Sequence, residues 1–186
     1  MTAQTFTNLY GFTGGSDGGA PYAGLTLSGN TLYGTTTAAG SSSNGTVFAV
    51  NTDGSGFTNL HGFTGGNDGG APYAGLILSG NTLYGTTTAG GSSGNGTVFA
   101  VNTDGSGFTN LYRFTGGNDG SAPFAGLILS SNTLYGTASV GGSSGNGTVF
   151  AVNTDGSGFT NLYGFTGGND GSAPSASLII SGNTLY

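Results

Sequence analysis

The chain has no cysteine, tryptophan, lysine or glutamate, and it has one arginine and one histidine. Without cysteine there is no disulfide framework, no thiolate metal ligand and no cysteine nucleophile, and any redox compartment is compatible. One histidine is too few for a zinc or copper site. With one basic side chain, Arg113, nothing can neutralise a row of phosphates, so nucleic acid is excluded as a partner. The same shortage argues against anionic membrane surfaces. No apolar run approaches the ~20 residues of a membrane span. Met1-Thr2-Ala3-Gln4 leads directly into the first repeat with no signal-peptide pattern. All seven carboxylates are aspartates, and the net charge is −6.

Glycine fills the space left by the missing types, at 42 of 186 residues. Such a fraction without a collagen period ordinarily signals low complexity. Here 34% of the residues are hydrophobic and only 4% are charged, which is the reverse of the usual disordered composition. The hydrophobic residues sit in short regular runs such as Gly75-Leu76-Ile77-Leu78 and Val98-Phe99-Ala100-Val101. The glycines therefore read as turn and close-packing residues of an all-β protein.

The chain repeats itself. Gly11-Phe12-Thr13-Gly14-Gly15 recurs from Gly62, Arg113 and Gly164, each 51 residues after the last and without insertion. One repeat holds four apolar runs bounded by turn residues. The first spans 75–79 and leads through Ser79-Gly80-Asn81 to the second, 82–88, which is rich in threonine and tyrosine. A loose loop, 89–96, precedes the third run, 97–102, which is apolar on both faces and reads as a central buried strand. Asp104-Gly105 marks a hairpin to the fourth run, 108–114, and a long loop, 115–124, leads onward. Four antiparallel strands per repeat predict a β-propeller of 51-residue blades, about 3.65 of them. The runner-up, a stacked β-solenoid, fits less well, because its coils are usually shorter and lack three hairpins each. The expected units are a partial blade at 6–12, blades at 24–63, 75–114 and 126–165, and a partial blade at 177–186.

One repeat carries Gly-Leu-x-x-Ser-Gly-Asn-Thr-Leu-Tyr-Gly-Thr-Thr, then Gly-Gly, then Gly-Asn-Gly-Thr-Val-Phe, then Asn-Leu-Tyr-x-Phe. This pattern resembles the GloVer tandem repeats of secreted or surface-anchored bacterial proteins, and the resemblance covers essentially the whole chain. It implies a propeller-like extracellular repeat at the cell surface or beyond it. It brings no established activity, so no catalytic residues carry over.

The carboxylates form two sets. Asp17, Asp68, Asp119 and Asp170 occupy the inter-blade loop, and Asp53, Asp104 and Asp155 the hairpin between the third and fourth runs. A calcium role competes with ordinary turn capping, and capping is favoured because no loop has multiple-Asp calcium spacing. Thr52-Asp53-Gly54-Ser55-Gly56 resembles an Asp-box hairpin with spacing off by one. His61 stands where other repeats have Tyr10, Tyr112 and Tyr163, and Arg113 stands where they have glycine. Neither has a recurring partner, and no nucleophile-elbow pattern is present, so no catalytic, metal or cofactor residues are expected. Asn-Gly-Thr at 44, 95 and 146 matches a glycosylation sequon but reads as a turn.

Tyr22, Tyr73 and Phe124 follow Ala-Pro in the inter-blade loop, and Ser175 breaks the set. Aromatics there either pack between blades or serve as platforms for sugar rings, and packing is favoured. Tyr33, Tyr84, Tyr135, Phe48, Phe99 and Phe150 read as blade core. The functional expectation is a non-enzymatic scaffold that self-assembles as a homodimer. In it the 6–12 strand of one copy (Phe6, Leu9, Phe12) completes the blade begun by 177–186 of another (Leu178, Ile180, Leu185). The alternative is a multivalent glycan-binding propeller.

Overall fold

A computed structural model describes residues 6–186. It is all-β, with three four-stranded antiparallel sheets and one two-stranded ribbon. The first sheet comprises β1 (Thr26–Ser28), β2 (Thr31–Thr36), β3 (Thr46–Asn51) and β4 (Thr58–Gly62). The second comprises β5 (Ile77–Ser79), β6 (Thr82–Thr87), β7 (Thr97–Asn102) and β8 (Thr109–Arg113). The third comprises β9 (Ile128–Ser130), β10 (Thr133–Ala138), β11 (Thr148–Asn153) and β12 (Thr160–Gly164). The ribbon is β13 (Ile180–Ser181) with β14 (Thr184–Leu185). Each sheet is a meander in chain order, so each is one blade. No helix of the described residues is long and apolar enough to cross a membrane.

Local chemistry fixes each blade. Ser-Gly-Asn turns β5 into β6, with Gly80 at φ 57°, a left-handed conformation that glycine adopts without a Cβ clash. At the β7–β8 hairpin Asp104 Oδ1 accepts from the Ser106 amide at 2.9 Å, and Gly105 takes φ 84°. Between β7 and β8 the register shifts at Val98/Phe99, a bulge repeated at the same place in the other two blades. The 89–96 segment is more ordered than expected: a Gly90–Asn95 bridge closes it, and the Gly96 amide donates to Gly90 C=O at 2.9 Å.

The faces of neighbouring blades interlock. Tyr33, Val47, Ala49 and Phe63 of the first blade pack on Leu76, Leu83, Phe99 and Val101 of the second. Tyr84, Val98, Ala100 and Phe114 repeat that contact against Leu127, Leu134, Phe150 and Val152 of the third. The threonine-rich second strand is as buried as the apolar third, which composition did not indicate. Its hydroxyls are satisfied internally: Thr87 Oγ1 lies 2.9 Å from Thr97 Oγ1, and Thr86 Oγ1 donates to Ala125 C=O of the next blade at 3.4 Å.

The inner strands converge on a common axis. A Cβ added to Gly75 would lie 3.1 Å from Gly24 C=O, and one added to Gly126 would lie 3.0 Å from Ser177 Oγ. Gly24 has no such neighbour within 4 Å, so the blades form an open arc. The strand expected over 6–12 is corrected: those residues join no sheet, because a β-ladder needs a partner strand and none pairs with them among the described residues. The expected 177–181 strand shortens to Ile180–Ser181, with Ile179 still exchanging backbone bonds with Tyr186.

Candidate functional site

Two places gather repeated polar and aromatic side chains: the inter-blade loops and the mouth of the axis. In each loop one aspartate organises the turn. Asp119 Oδ2 accepts from the Thr115 amide at 2.7 Å, and its Oδ1 accepts from Thr115 Oγ1 at 2.6 Å. The same two bonds hold Asp17 to Thr13, Asp68 to Thr64 and Asp170 to Thr166. Both oxygens of each carboxylate are thus engaged by the loop itself. Among the described residues no three His or Asp side chains converge as a metal cage.

Each of these aspartates also receives a side chain from the segment before the loop, which is an outer strand in three of the four repeats. Tyr112 Oη donates to Asp119 Oδ2 at 3.0 Å, Tyr163 Oη to Asp170 Oδ2 at 2.8 Å and Tyr10 Oη to Asp17 Oδ2 at 3.2 Å. In the second repeat His61 takes this part, with Nε2 3.3 Å from Asp68 Oδ2. The ring then stacks on a phenylalanine of the next blade: Tyr10 on Phe57 at 3.8 Å, His61 on Phe108 at 3.7 Å and Tyr112 on Phe159 at 3.6 Å. The sequence shows the 51-residue recurrence of both groups, but not that they meet. His61 does have a carboxylate partner, contrary to its apparent isolation in the sequence.

The electrostatics follow from this packing. Burial, then the hydrogen bond to Asp119, pushes the Tyr112 hydroxyl up to about 12. Burial lowers His61 from its ordinary value, outweighing the opposing pull of Asp68. The Thr166 hydroxyl and amide, with Tyr163, hold Asp170 down to about 2. The site therefore carries a neutral imidazole, neutral phenols and carboxylates engaged by their own loops. Tyr10, His61 and Tyr112 lock one blade to the next.

At the axis mouth, Tyr22, Tyr73 and Phe124 come from three different blades and meet. Tyr73 stacks on Phe124 at 4.6 Å, Tyr22 meets Tyr73 edge-on at 5.6 Å, and Tyr22 reaches Phe124 at 6.4 Å. Each follows an alanine with positive φ, as at Ala71 (53°) and Ala122 (51°). That strained backbone is held by paired bonds: the Ala71 amide donates to Asn44 C=O, and the Thr88 amide donates to Ala71 C=O. Tyr22 remains 70% exposed. Phe6, at the far end of the described chain, is 94% exposed; Leu9 and Phe12 are half-buried, as are Leu178 and Leu185, and Ile180 is exposed.

The repeat seen in these blades is that of a known family, whose description, Gloeobacter/Verrucomicrobia repeat, matches residues 1–186. The chain belongs to the Gloeobacter/Verrucomicrobia repeat family. No curated protein matches it. Among solved structures, this Gloeobacter/Verrucomicrobia repeat chain is similar to one in a nidogen/laminin complex, at 18% identity and a TM-score of 0.55. The match covers 80% of this chain and 48% of that one. It is also similar to a europium-containing methanol dehydrogenase, at 13% identity and a TM-score of 0.50, covering 80% of this chain and 26% of that one. These likenesses are of fold, and the fold is the β-propeller. The Gloeobacter/Verrucomicrobia repeat chain spans about half or less of the chains it resembles.

Proposed function

We propose that this protein is a non-enzymatic propeller scaffold whose open arc closes against a second copy. One observation carries the reading: equivalent residues are buried in the middle of the arc and bare at its ends. Leu76 and Leu127 are 7% and 6% exposed, whereas Leu25, their counterpart in the first blade, is 48% exposed. At the other end Tyr163, the counterpart of the stacked Tyr112, is 47% exposed. Apolar faces of this kind are a usual mark of an interface. The chain carries the same interface twice internally, so each bare end has the shape its partner needs.

Residues 9–12 support the arrangement. Tyr10 already sits on Phe57, and Phe12 lies edge-on to Phe48 at 5.0 Å, as Phe63 does to Phe99 at 5.2 Å. They occupy the place that an outer strand takes in the other repeats. In a two-fold ring, the β13–β14 half-blade of one copy lies beside this segment of the other. An extracellular setting fits a surface of Thr, Ser, Asn and Gly with almost no cations. Light scattering at micromolar concentration should give twice the 18.0 kDa chain mass, and deletion of residues 1–12 should return the monomer. A mass that stays monomeric at all concentrations refutes the ring.

A second reading, a glycan-binding module, draws on the meeting of Tyr22, Tyr73 and Phe124, since ring faces suit sugar faces. A glycan array separates the two: sugar-dependent signal lost in Tyr22→Ala supports the lectin, and a blank array removes it.

A further inference from the structure

The aromatic set at the axis mouth has a fourth position that holds no ring. Tyr22, Tyr73 and Phe124 each follow Ala-Pro, and the same place in the fourth repeat is Ser175. The backbone that leads to it is anchored as in the other repeats. The Ala173 amide donates to Asn146 C=O at 2.8 Å, as the Ala122 amide does to Asn95 C=O at 2.9 Å. A Cβ added to Gly147 would lie 2.6 Å from the Pro174 ring, and one added to Gly96 would lie 2.8 Å from the Pro123 ring. Beyond the proline the two loops part. Thr86 Oγ1 donates to Ala125 C=O, whereas its counterpart Thr137 donates to Pro174 C=O at 3.5 Å and not to Ala176. Ser175 is exposed, so its hydroxyl is open to a ligand.

The serine leaves one aromatic face uncovered by the set. Tyr73 and Phe124 stack at 4.6 Å and 22°, so each covers one face of the other. Tyr22 lies 5.6 Å from Tyr73 and 6.4 Å from Phe124, at 79° and 80° to their planes. Those distances put it beside the pair, on the Tyr73 side of Phe124. The blades follow one another about the axis in chain order, so the other face of Phe124 turns toward the fourth repeat. There the side chain is the hydroxymethyl group of Ser175. An electron-rich ring face attracts C–H bonds, and a hydroxyl beside it both donates and accepts. That pair of groups suits a ring that is apolar on its faces and carries hydroxyls at its rim. Charge narrows the choice. The seven aspartates are bonded by their own turns, and Arg113 lies on the outer strand β8, donating to Asn67 C=O at 3.2 Å. The mouth therefore has no ionic partner to offer, and a neutral sugar suits it where a uronate or a phosphorylated sugar does not.

We propose that the space between Phe124 and Ser175 is a subsite for one neutral pyranose ring of a glycan. The sugar stacks on the outer face of Phe124, and Ser175 Oγ bonds one of its hydroxyls. Tyr22, 70% exposed beside the stack, supplies a second contact. The proposal rests on the glycan-binding reading of this mouth and adds to it the subsite and the charge class of the sugar.

The test applies the full chain to a glycan array holding neutral and anionic sugars, then titrates the strongest neutral oligosaccharide by calorimetry. Neutral glycans are expected to bind. Ser175→Tyr sets a fourth ring against Phe124, and it should weaken binding more than about tenfold while raising Tm by about 1–4 °C. Phe124→Leu keeps an apolar side chain without a ring face, and it should also weaken binding more than about tenfold, with the circular dichroism unchanged. Ser175→Ala keeps the space open and should cost about three- to tenfold, as loss of one hydrogen bond implies. Full affinity in Ser175→Tyr, or binding of anionic glycans alone, overturns the subsite and leaves the glycan-binding reading standing. A Tm that does not rise in Ser175→Tyr means that the outer face of Phe124 is closed, and it overturns the subsite even if sugars bind elsewhere at the mouth. An array blank for every sugar removes the glycan-binding reading and the subsite with it.

Discussion

At His61 the structure makes a pH prediction with a definite sign. Burial against Phe108 lowers its pKa from 6.5, so the unfolded chain takes up the proton first. Stability is therefore fully present above about pH 6.5 and declines as pH falls from there through the folded-state pKa. The aspartates flanking these rings are held below 3.8 and stay ionised across that window. Tm should be lower at pH 5 than at pH 7.5, and His61→Tyr, the residue found at the other three positions, should remove most of that difference. A wild-type Tm that is flat over this range would contradict the burial of the ring. Backbone strain gives a second pair of expectations. Ala71 sits at φ 53°, a region costing an L-residue roughly 1–2 kcal/mol, so Ala71→Gly should be neutral or stabilising by up to about 1 kcal/mol despite the entropy of glycine. Gly85 is the opposite case. A Cβ there would lie 2.6 Å from the Phe99 ring, so Gly85→Ala should cost about 1–3 kcal/mol by overpacking. Urea midpoints of the two variants decide both.

The inter-blade loop and the strands it joins behave as one element. The Asp119 carboxylate closes the loop on Thr115 and also holds Tyr112, which stacks on Phe159 of the next blade. The turn and the blade-to-blade contact are thus coupled through one side chain, and loss of either loosens both. At the axis mouth the three aromatics differ in exposure, and their truncations should differ accordingly. Tyr73→Ala removes a ring stacked on Phe124 at 4.6 Å and should cost about 2 kcal/mol, toward the low end for large-to-small changes because Tyr73 is half-buried. Tyr22→Ala, at a site 70% exposed, should cost well under 1 kcal/mol. Equal losses in thermal or urea unfolding would mean that Tyr22 is covered in solution.

For the molecule as a whole, the decisive property is the bareness of the two ends of the arc. If a second copy covers them, folding and association are linked, and Tm must rise with protein concentration. A hundredfold dilution should lower it by several degrees, whereas a self-sufficient monomer would show no change. Salt should matter little to this assembly, because the bare groups at the ends include Leu25, Leu162 and Tyr163 and the chain has a single cationic side chain.

The blade itself was legible in the sequence because everything that makes it is local. The apolar run at Thr97–Asn102, Asp104-Gly105 at the hairpin and the 51-residue recurrence of Gly-Phe-Thr-Gly-Gly are properties of neighbouring residues, and in the complete blades they predicted strands that the fold reproduces within one or two positions. The burial of Thr86 and Thr87 was not legible, because a hydroxyl is tolerated inside only when a particular acceptor lies opposite, here Ala125 C=O and Thr97. Likewise the pairing of His61 with Asp68 and Phe108, and the meeting of Tyr22 with Tyr73 and Phe124, depend on how far each blade is rotated from the last. Residues 6–12 show the boundary most clearly. Their sequence is that of an outer strand, yet they join no sheet, because strand structure is a property of a pair and the sequence of one member cannot supply the other.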